Sequence, residues 1–225
     1  MKKIVIYGNG AMAKVLYSYL RKNYEVTGFV VDEGCIAKDK VNFLGLPLVS
    51  FNSVCDIFSP ESYQMIISVG YPEMNEVRQK KCEQATQLGY ELASYIHKSF
   101  HLHDDVRIGQ NCIILEHVFI HPGARIGDGT FICANVNIGH DCCIGNYNWI
   151  NSGVTFGGRC RTGVGCFFGN NSCIGHGVSL GERNFIAAHT LINRSTADDE
   201  VYISEPGQLF KMNSKDFLKY CKMQE

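Results

Sequence analysis

The chain has 225 residues, 45% of them hydrophobic, and a formal net charge of -1. This composition supports one large folded unit or two smaller ones, argues against disorder, and offers no electrostatic footprint for nucleic acid. No apolar run approaches membrane-spanning length and the opening MKKIVIYGNG lacks a signal-peptide profile, while eleven Cys without paired CxxC spacing suit buried small hydrophobes in a reducing cytosol.

The first elements alternate between strand and helix. Ile4 to Tyr7 reads as a short buried strand and Gly8-Asn9-Gly10 as a turn. Ala11 to Lys22 follows as a helix with Val15, Leu16, Tyr19 and Leu20 on one face. Val26 to Val31 is a second strand ending in Asp32. Gly34 to Pro60 holds turns and a short hydrophobic strand, with another near Phe43 to Leu48. Met65 to Val69 is a further strand leading into Gly70 and Tyr71, and Glu73 to Gln87 is the following helix. Such alternation implies a parallel sheet with ligands at its carboxyl edge. GNGAMA, Gly8 to Ala13, is a variant of the glycine-rich phosphate turn, in which glycines admit a diphosphate and the helix start favours an anion. Asp32 can accept hydrogen bonds from a ribose or a base. The unit is too short for a two-half dinucleotide fold, so a mononucleotide or nucleotide-sugar fits better. We expect an α/β domain over residues 1–98 and a second domain over 99–225, with the boundary between Ser94 and Asp105.

From Ile108 to Ile192 an apolar residue recurs every six positions. Eleven of these fifteen are Ile, Phe156 and Phe168 are aromatic, Leu180 is aliphatic, and only Thr162 is polar. A period of six is neither strand nor helix, so the chain turns a corner every six residues, and three corners make one triangular coil of a parallel β-helix. Glycine follows the apolar position nine times, and four residues after it the side chain is small in most hexads, with the polar Asn148 and Asn184 as exceptions. Fifteen hexads give five coils of a left-handed β-helix, in which residues eighteen apart stack on one face. Outward aromatics Phe119, Phe131, Trp149 and Phe167 suggest an interface between copies. Past the repeat, Ser214 to Met223 reads as an amphipathic helix capped by Ser214.

The residues that tie these parts together are Gly8-x-Gly10, GFVVD at Gly28 to Asp32, ISVG at Ile67 to Gly70, YIHKS at Tyr95 to Ser99, and HDC at His140 to Cys142 within the hexads. In these the chain resembles the bacterial sugar acyltransferases of the sialic acid O-acetyltransferase type, and most of all those that N-acetylate nucleotide-linked 4-amino-4,6-dideoxysugars. The resemblance implies an acetyl-CoA-dependent acyltransferase that works in surface polysaccharide or glycan biosynthesis. It also implies a cytoplasmic homotrimer with no membrane insertion and no metal, and acetyl-CoA lying between neighbouring helices. Carried over by residue, it makes His140 the general base and Asp141 its acidic partner. Gly158 becomes a backbone donor to the thioester, Asn170, Asn171 and Ser172 the pantetheine track, and Arg194 a contact to a CoA phosphate. Gly8, Asn9, Gly10, Met12, Asp32, Gly70 and Tyr71 would hold the nucleotide-sugar.

Some positions depart from that pattern. Met12 and Trp149 stand where the family often has His, and Pro206-Gly207-Gln208 replaces its usual Pro-Ala-Lys. Trp149 either stacks on the cofactor or packs at a subunit seam. His176 lies two coils from His140 on the same edge, roughly 10 Å by strand stacking, too far for one ion. His117 and His121 do not meet the spacing of zinc-dependent carbonic anhydrases of the same helix type. Two alternatives to sugar N-acetylation are O-acetylation of the sialic acid kind and a catalytically idle nucleotide-sugar-binding trimer.

Overall fold

Short apolar runs, each followed by a glycine-rich turn or a helix, build the N-terminal part of the computed structural model, which describes residues 3–37, 41–100, 103 and 105–222. Strand β1 (Lys3–Tyr7) leads to helix α1 (Ala11–Leu20) and strand β2 (Val26–Val31). Strands β3 (Asn42–Phe43) and β4 (Leu46–Ser50) follow, then a single helical turn α2 (Val54–Ile57), strand β5 (Tyr63–Ile67), helix α3 (Glu76–Gln87) and strand β6 (Glu91–Leu92). The sheet order is β3-β4-β2-β1-β5-β6, parallel throughout except for the β3–β4 hairpin. In α1 the buried positions are Ala13, Leu16 and Leu20, whereas Val15, expected on that face, is 40% exposed. The helix also stops short of Lys22, and α3 begins at Glu76 because Glu73, Met74 and Asn75 all take positive φ.

The hexads form the expected prism. Two-residue strands recur at every sixth position from Arg107–Ile108 to Leu191–Ile192, and each as far as Cys173–Ile174 pairs in parallel with the strand eighteen residues on. Three sheets result, and the interior is the apolar ladder together with the small-residue slot, where Cys112, Cys142, Cys160 and Cys166 are fully buried. The ladder starts earlier than the repeat: β7 (Tyr95–Ile96) pairs with Ile113–Ile114, so the prism's first strand precedes the expected boundary at 98. The polar exceptions pair with one another. The Asn148 amide donates to Thr162 Oγ1 at 3.1 Å and to the Gly145 and Gly163 carbonyls, while its Oδ1 accepts the Cys166 N–H at 2.9 Å.

One face of the prism carries Ile113, Phe131, Trp149, Phe167 and Phe185, and the α/β domain covers it. Phe131, Trp149 and Phe167 were expected to mark contacts between copies; all three are buried inside the chain, and of the four aromatics only Phe119 remains exposed, at 49%. Phe131 stacks on Trp149 and Phe167 on Phe185 with near-parallel rings, and Tyr71 fits against Trp149 and Phe167. Buried polar side chains fasten the seam. Asn111 Oδ1 accepts from the Ile67 N–H at 2.8 Å, the Asn75 amide donates to the Gly165 carbonyl at 2.8 Å, and Arg78 reaches carbonyls of both domains. At the other end, helix α4 (Ser214–Lys222) is capped by Asn213, whose Oδ1 accepts the Asp216 N–H, and not by Ser214. It buries no residue, and Met223, its expected end, lies outside the described residues.

Replacing Thr162 by Val restores the apolar rhythm but removes the acceptor that Asn148 uses. We expect a loss of stability on the order of 1–2 kcal/mol, read as a lower urea midpoint; a variant as stable as the parent would contradict the pairing.

Candidate active site

Every corner on the edge that carries His140 is built alike: Pro122, His140, Gly158, His176 and Arg194 occupy equivalent positions in successive coils. Straps between coils fix this edge. The Asp141 N–H donates to the Pro122 carbonyl at 3.1 Å and the Arg159 N–H to the His140 carbonyl at 2.7 Å. Asp141 sits at φ +58, a left-handed geometry that Asp tolerates better than most residues. Its carboxylate occupies the space that a side chain at Gly123 would need.

His140 Nδ1–H donates to Asp141 Oδ2 at 2.8 Å. The hydrogen bond from His140 holds the Asp141 carboxyl below its usual range, with the nearby charges of His140 and Arg159 adding to the effect. An ionised carboxylate on Nδ1 fixes the tautomer, so Nε2 keeps its lone pair and can accept a proton. That nitrogen lies over Gly158, where a Cβ would come within 2.3 Å of it. The Gly158 N–H has no hydrogen-bond partner among the described residues. On another edge the same position is satisfied, since the Gln110 N–H donates to Asp128 Oδ1 and the Asp128 N–H to Asn146 Oδ1. Above Gly158 comes His176, and among the described residues no hydrogen bond joins its ring to the Gly158 N–H. An imidazole acceptor therefore stands beside a fixed, free backbone donor, the pair that acyl transfer requires.

The structure separates the other expected residues. His176 is closer than backbone stacking suggested: its ring centroid is 6.0 Å from that of His140, whose ring leans over Gly158. Among the described residues no group of three or more His, Cys, Asp or Glu could hold a metal ion. Arg194 is exposed on the same edge, three coils beyond His140. Asn170 and Asn171 are exposed but stand on a different edge. Ser172 points into the prism, 1% exposed, and so does not line an outer track. Trp149 is 4% exposed between Phe131 and the α/β domain, with the Arg78 guanidinium 5.4 Å from its ring, so it neither faces a cofactor nor a seam between copies.

At the sheet's carboxyl edge Gly8 has φ +127, and a Cβ there would meet the Ser68 carbonyl at 2.9 Å, so only glycine fits. Gly10 opens α1 with no side-chain cap and no acidic residue in the first turn, which leaves helix N–H groups free for an anion. The Asn9 amide donates to the Cys35 carbonyl. Met12 packs on the apolar cluster instead of lining an open pocket. Gly70 gives its carbonyl to Arg78, and Tyr71 remains 48% exposed. Asp32 is engaged as well as half-buried: Lys81 Nζ lies 2.7 Å from its Oδ1, and burial together with Asp32 pushes the Tyr7 hydroxyl up. Sequence reading passed over Lys81 and Arg78. For Arg78 a signal existed, since it shares one helix face with Cys82 and Ala85.

Comparison with known proteins agrees with this architecture. Residues 3–85 match the PglD N-terminal domain. A mutant perosamine N-acetyltransferase from Caulobacter crescentus, in complex with CoA and GDP-perosamine, superposes with a TM-score of 0.80 at 24% identity, covering 91% of this chain and 94% of that one. The acetyltransferase domain of PglB from Neisseria gonorrhoeae, in complex with acetyl coenzyme A, gives a TM-score of 0.77 at 21% identity over 89% and 95% of the two chains. WeeI from Acinetobacter baumannii gives 0.53 at 15% identity over 93% and 100%. The fold is thus an α/β domain followed by a left-handed β-helix, as in these solved structures.

A Gly158→Ala replacement tests the seat of the imidazole. The added methyl must displace the His140 ring, so the imidazole resonances and the His140–Asp141 hydrogen bond should change in NMR spectra while the melting curve stays close to that of the parent. Unshifted imidazole resonances would show that the ring does not rest there.

Proposed function

We propose that this protein is an acetyl-CoA-dependent N-acetyltransferase acting on the 4-amino group of a nucleotide-linked 4-amino-4,6-dideoxysugar, in a cytoplasmic step of glycan assembly. The observation that carries the reading is His140 Nε2, free to accept a proton, beside the unpartnered Gly158 N–H. The neutral amine attacks the thioester carbon and the C=O electrons move to oxygen, where the Gly158 N–H receives the charge. His140 takes the nitrogen's proton and Asp141 stabilises the imidazolium. Collapse expels the CoA sulfur and leaves the amide. The solved relatives in complex with CoA and GDP-perosamine, or with acetyl coenzyme A, support both substrate classes.

The reading also requires more than one chain. The α/β domain covers the face between two edges of the prism, and His140 lies on the third, opposite edge. A sugar held at Gly8, Gly10, Asp32 and Tyr71 therefore reaches the His140 of a neighbouring copy and not its own. The heights agree in a cyclic assembly whose axis runs along the prism. Tyr71 packs on Trp149 and Phe167, and Gly158 lies between those two strands in the chain. A homotrimer with sites between subunits meets this requirement. N-acetylation is preferred over O-acetylation because an amine attacks a thioester more readily than a hydroxyl and needs no stronger base than one imidazole. The intact His140–Asp141 pair argues against an idle scaffold.

Offered a 4-amino nucleotide-sugar, its 4-hydroxy counterpart and the free aminosugar, the protein should acetylate only the first, on nitrogen. An ester product, or equal turnover of the free sugar, would contradict the assignment. Replacing His140 by Ala should lower kcat by a factor on the order of 100 to 10,000 with little change in binding of either substrate.

A further inference from the structure

A second imidazole shares the edge with His140, and acyl transfer has a second proton to place. When the C–S bond of the tetrahedral adduct breaks, its electron pair goes to sulfur, and the thiolate must gain a proton to leave as CoA–SH. His140 faces the incoming amine: its Nδ1 is tied to Asp141 and its Nε2 lies over Gly158. His176 is exposed one coil beyond Gly158, with its ring 6.0 Å from that of His140. The His140 ring lies over the bare backbone of Gly158, and the His176 ring stands next to it one coil further along the prism axis.

We propose that His176 is the second proton-transfer residue of the site and protonates the departing sulfur of acetyl-CoA, while His140 takes the proton of the attacking amine. The assignment rests on the acetyltransferase reading above. Its support is axial position. Gly158 offers the donor for the carbonyl oxygen, so the reacting carbon lies at the height of Gly158. The acceptor edge, marked by Tyr71 against Trp149 and Phe167, lies at that same height. The nitrogen and the sulfur are the two ends of the adduct, and the two imidazoles follow one another along the same edge, His140 over Gly158 and His176 one coil beyond it. The proton count closes: one proton passes from nitrogen to His140, one from His176 to sulfur, and transfer from the first imidazole to the second through solvent restores both. Next on the edge is Arg194, whose charge lies one coil further out and favours the thiolate and the phosphates of CoA without supplying a proton at neutral pH.

The test uses the full-length protein with acetyl-CoA and a nucleotide-linked 4-aminosugar. His176→Gln and His176→Ala should lower kcat on the order of 100-fold, leave the acetyl-CoA dissociation constant unchanged by calorimetry, and, for the Ala variant, regain part of the rate when imidazole is added. Wild-type turnover in both variants would overturn this role alone. So would a slow Ala variant that imidazole does not help, because packing would then be the only function of the ring. An inactive wild-type protein would overturn the acetyltransferase reading and this role with it.

Discussion

Arg78 fixes how the two domains meet. It is 1% exposed, has no carboxylate partner among the described residues, and donates to the carbonyls of Val69 and Gly70 in one domain and Gly129, Tyr147 and Asn148 in the other. Burying a guanidinium costs several kcal/mol, which only a full set of acceptors offsets, and burial lowers its pKa to about 10. A charge held in this way tolerates no slippage between domains. Its guanidinium also lies over Trp149, so the hydrogen bonds and the aromatic face specify the same docked geometry. The α/β domain therefore covers one face of the prism, on the side away from the edge that carries His140. The proposed need for a second chain follows from this one docked contact.

The prism was legible because its rule is local. Each hexad repeats the same backbone corner, so an apolar residue, a glycine and a small residue must recur, and Thr162 with Asn148 shows that a paired exception is tolerated. What covers a face is not a local property. Phe131, Trp149 and Phe167 announced that their face is covered, but nothing in the hexad register distinguishes a second copy from the chain's own N-terminal domain. For Ser172 the register did contain the answer, because its slot points inward, and the resemblance to a cofactor track ran against it.

The candidate site was legible in its residues and less so in its distances. His140 and Asp141 follow a corner glycine and point outward, as the sequence implies. The His140–His176 separation was not legible, because it depends on the His140 side chain leaning over a position with none. Asp32 was recognised as an acceptor at the end of β2, but its pairing with Lys81 joins residues forty-nine apart on different elements, which no motif spacing encodes. Gly158 thus has two physical consequences in one residue: it leaves room for the imidazole of His140, and its own N–H has no partner among the described residues.

The central claim is that one chain supplies the sugar pocket and its neighbour the base, and mixing two inactive variants tests it directly. His140→Ala removes the base. Gly10→Phe blocks the phosphate turn without strain, since Gly10 has an ordinary φ of -92 and no atoms near its absent side chain. Each variant alone should be inactive with acetyl-CoA and a nucleotide-linked aminosugar. After co-assembly in equal amounts, about a quarter of the intersubunit sites combine an intact pocket with an intact base, and activity should return to about that fraction of wild type. A mixture as inactive as its parts, with mixed assemblies verified by native mass spectrometry, would contradict the account.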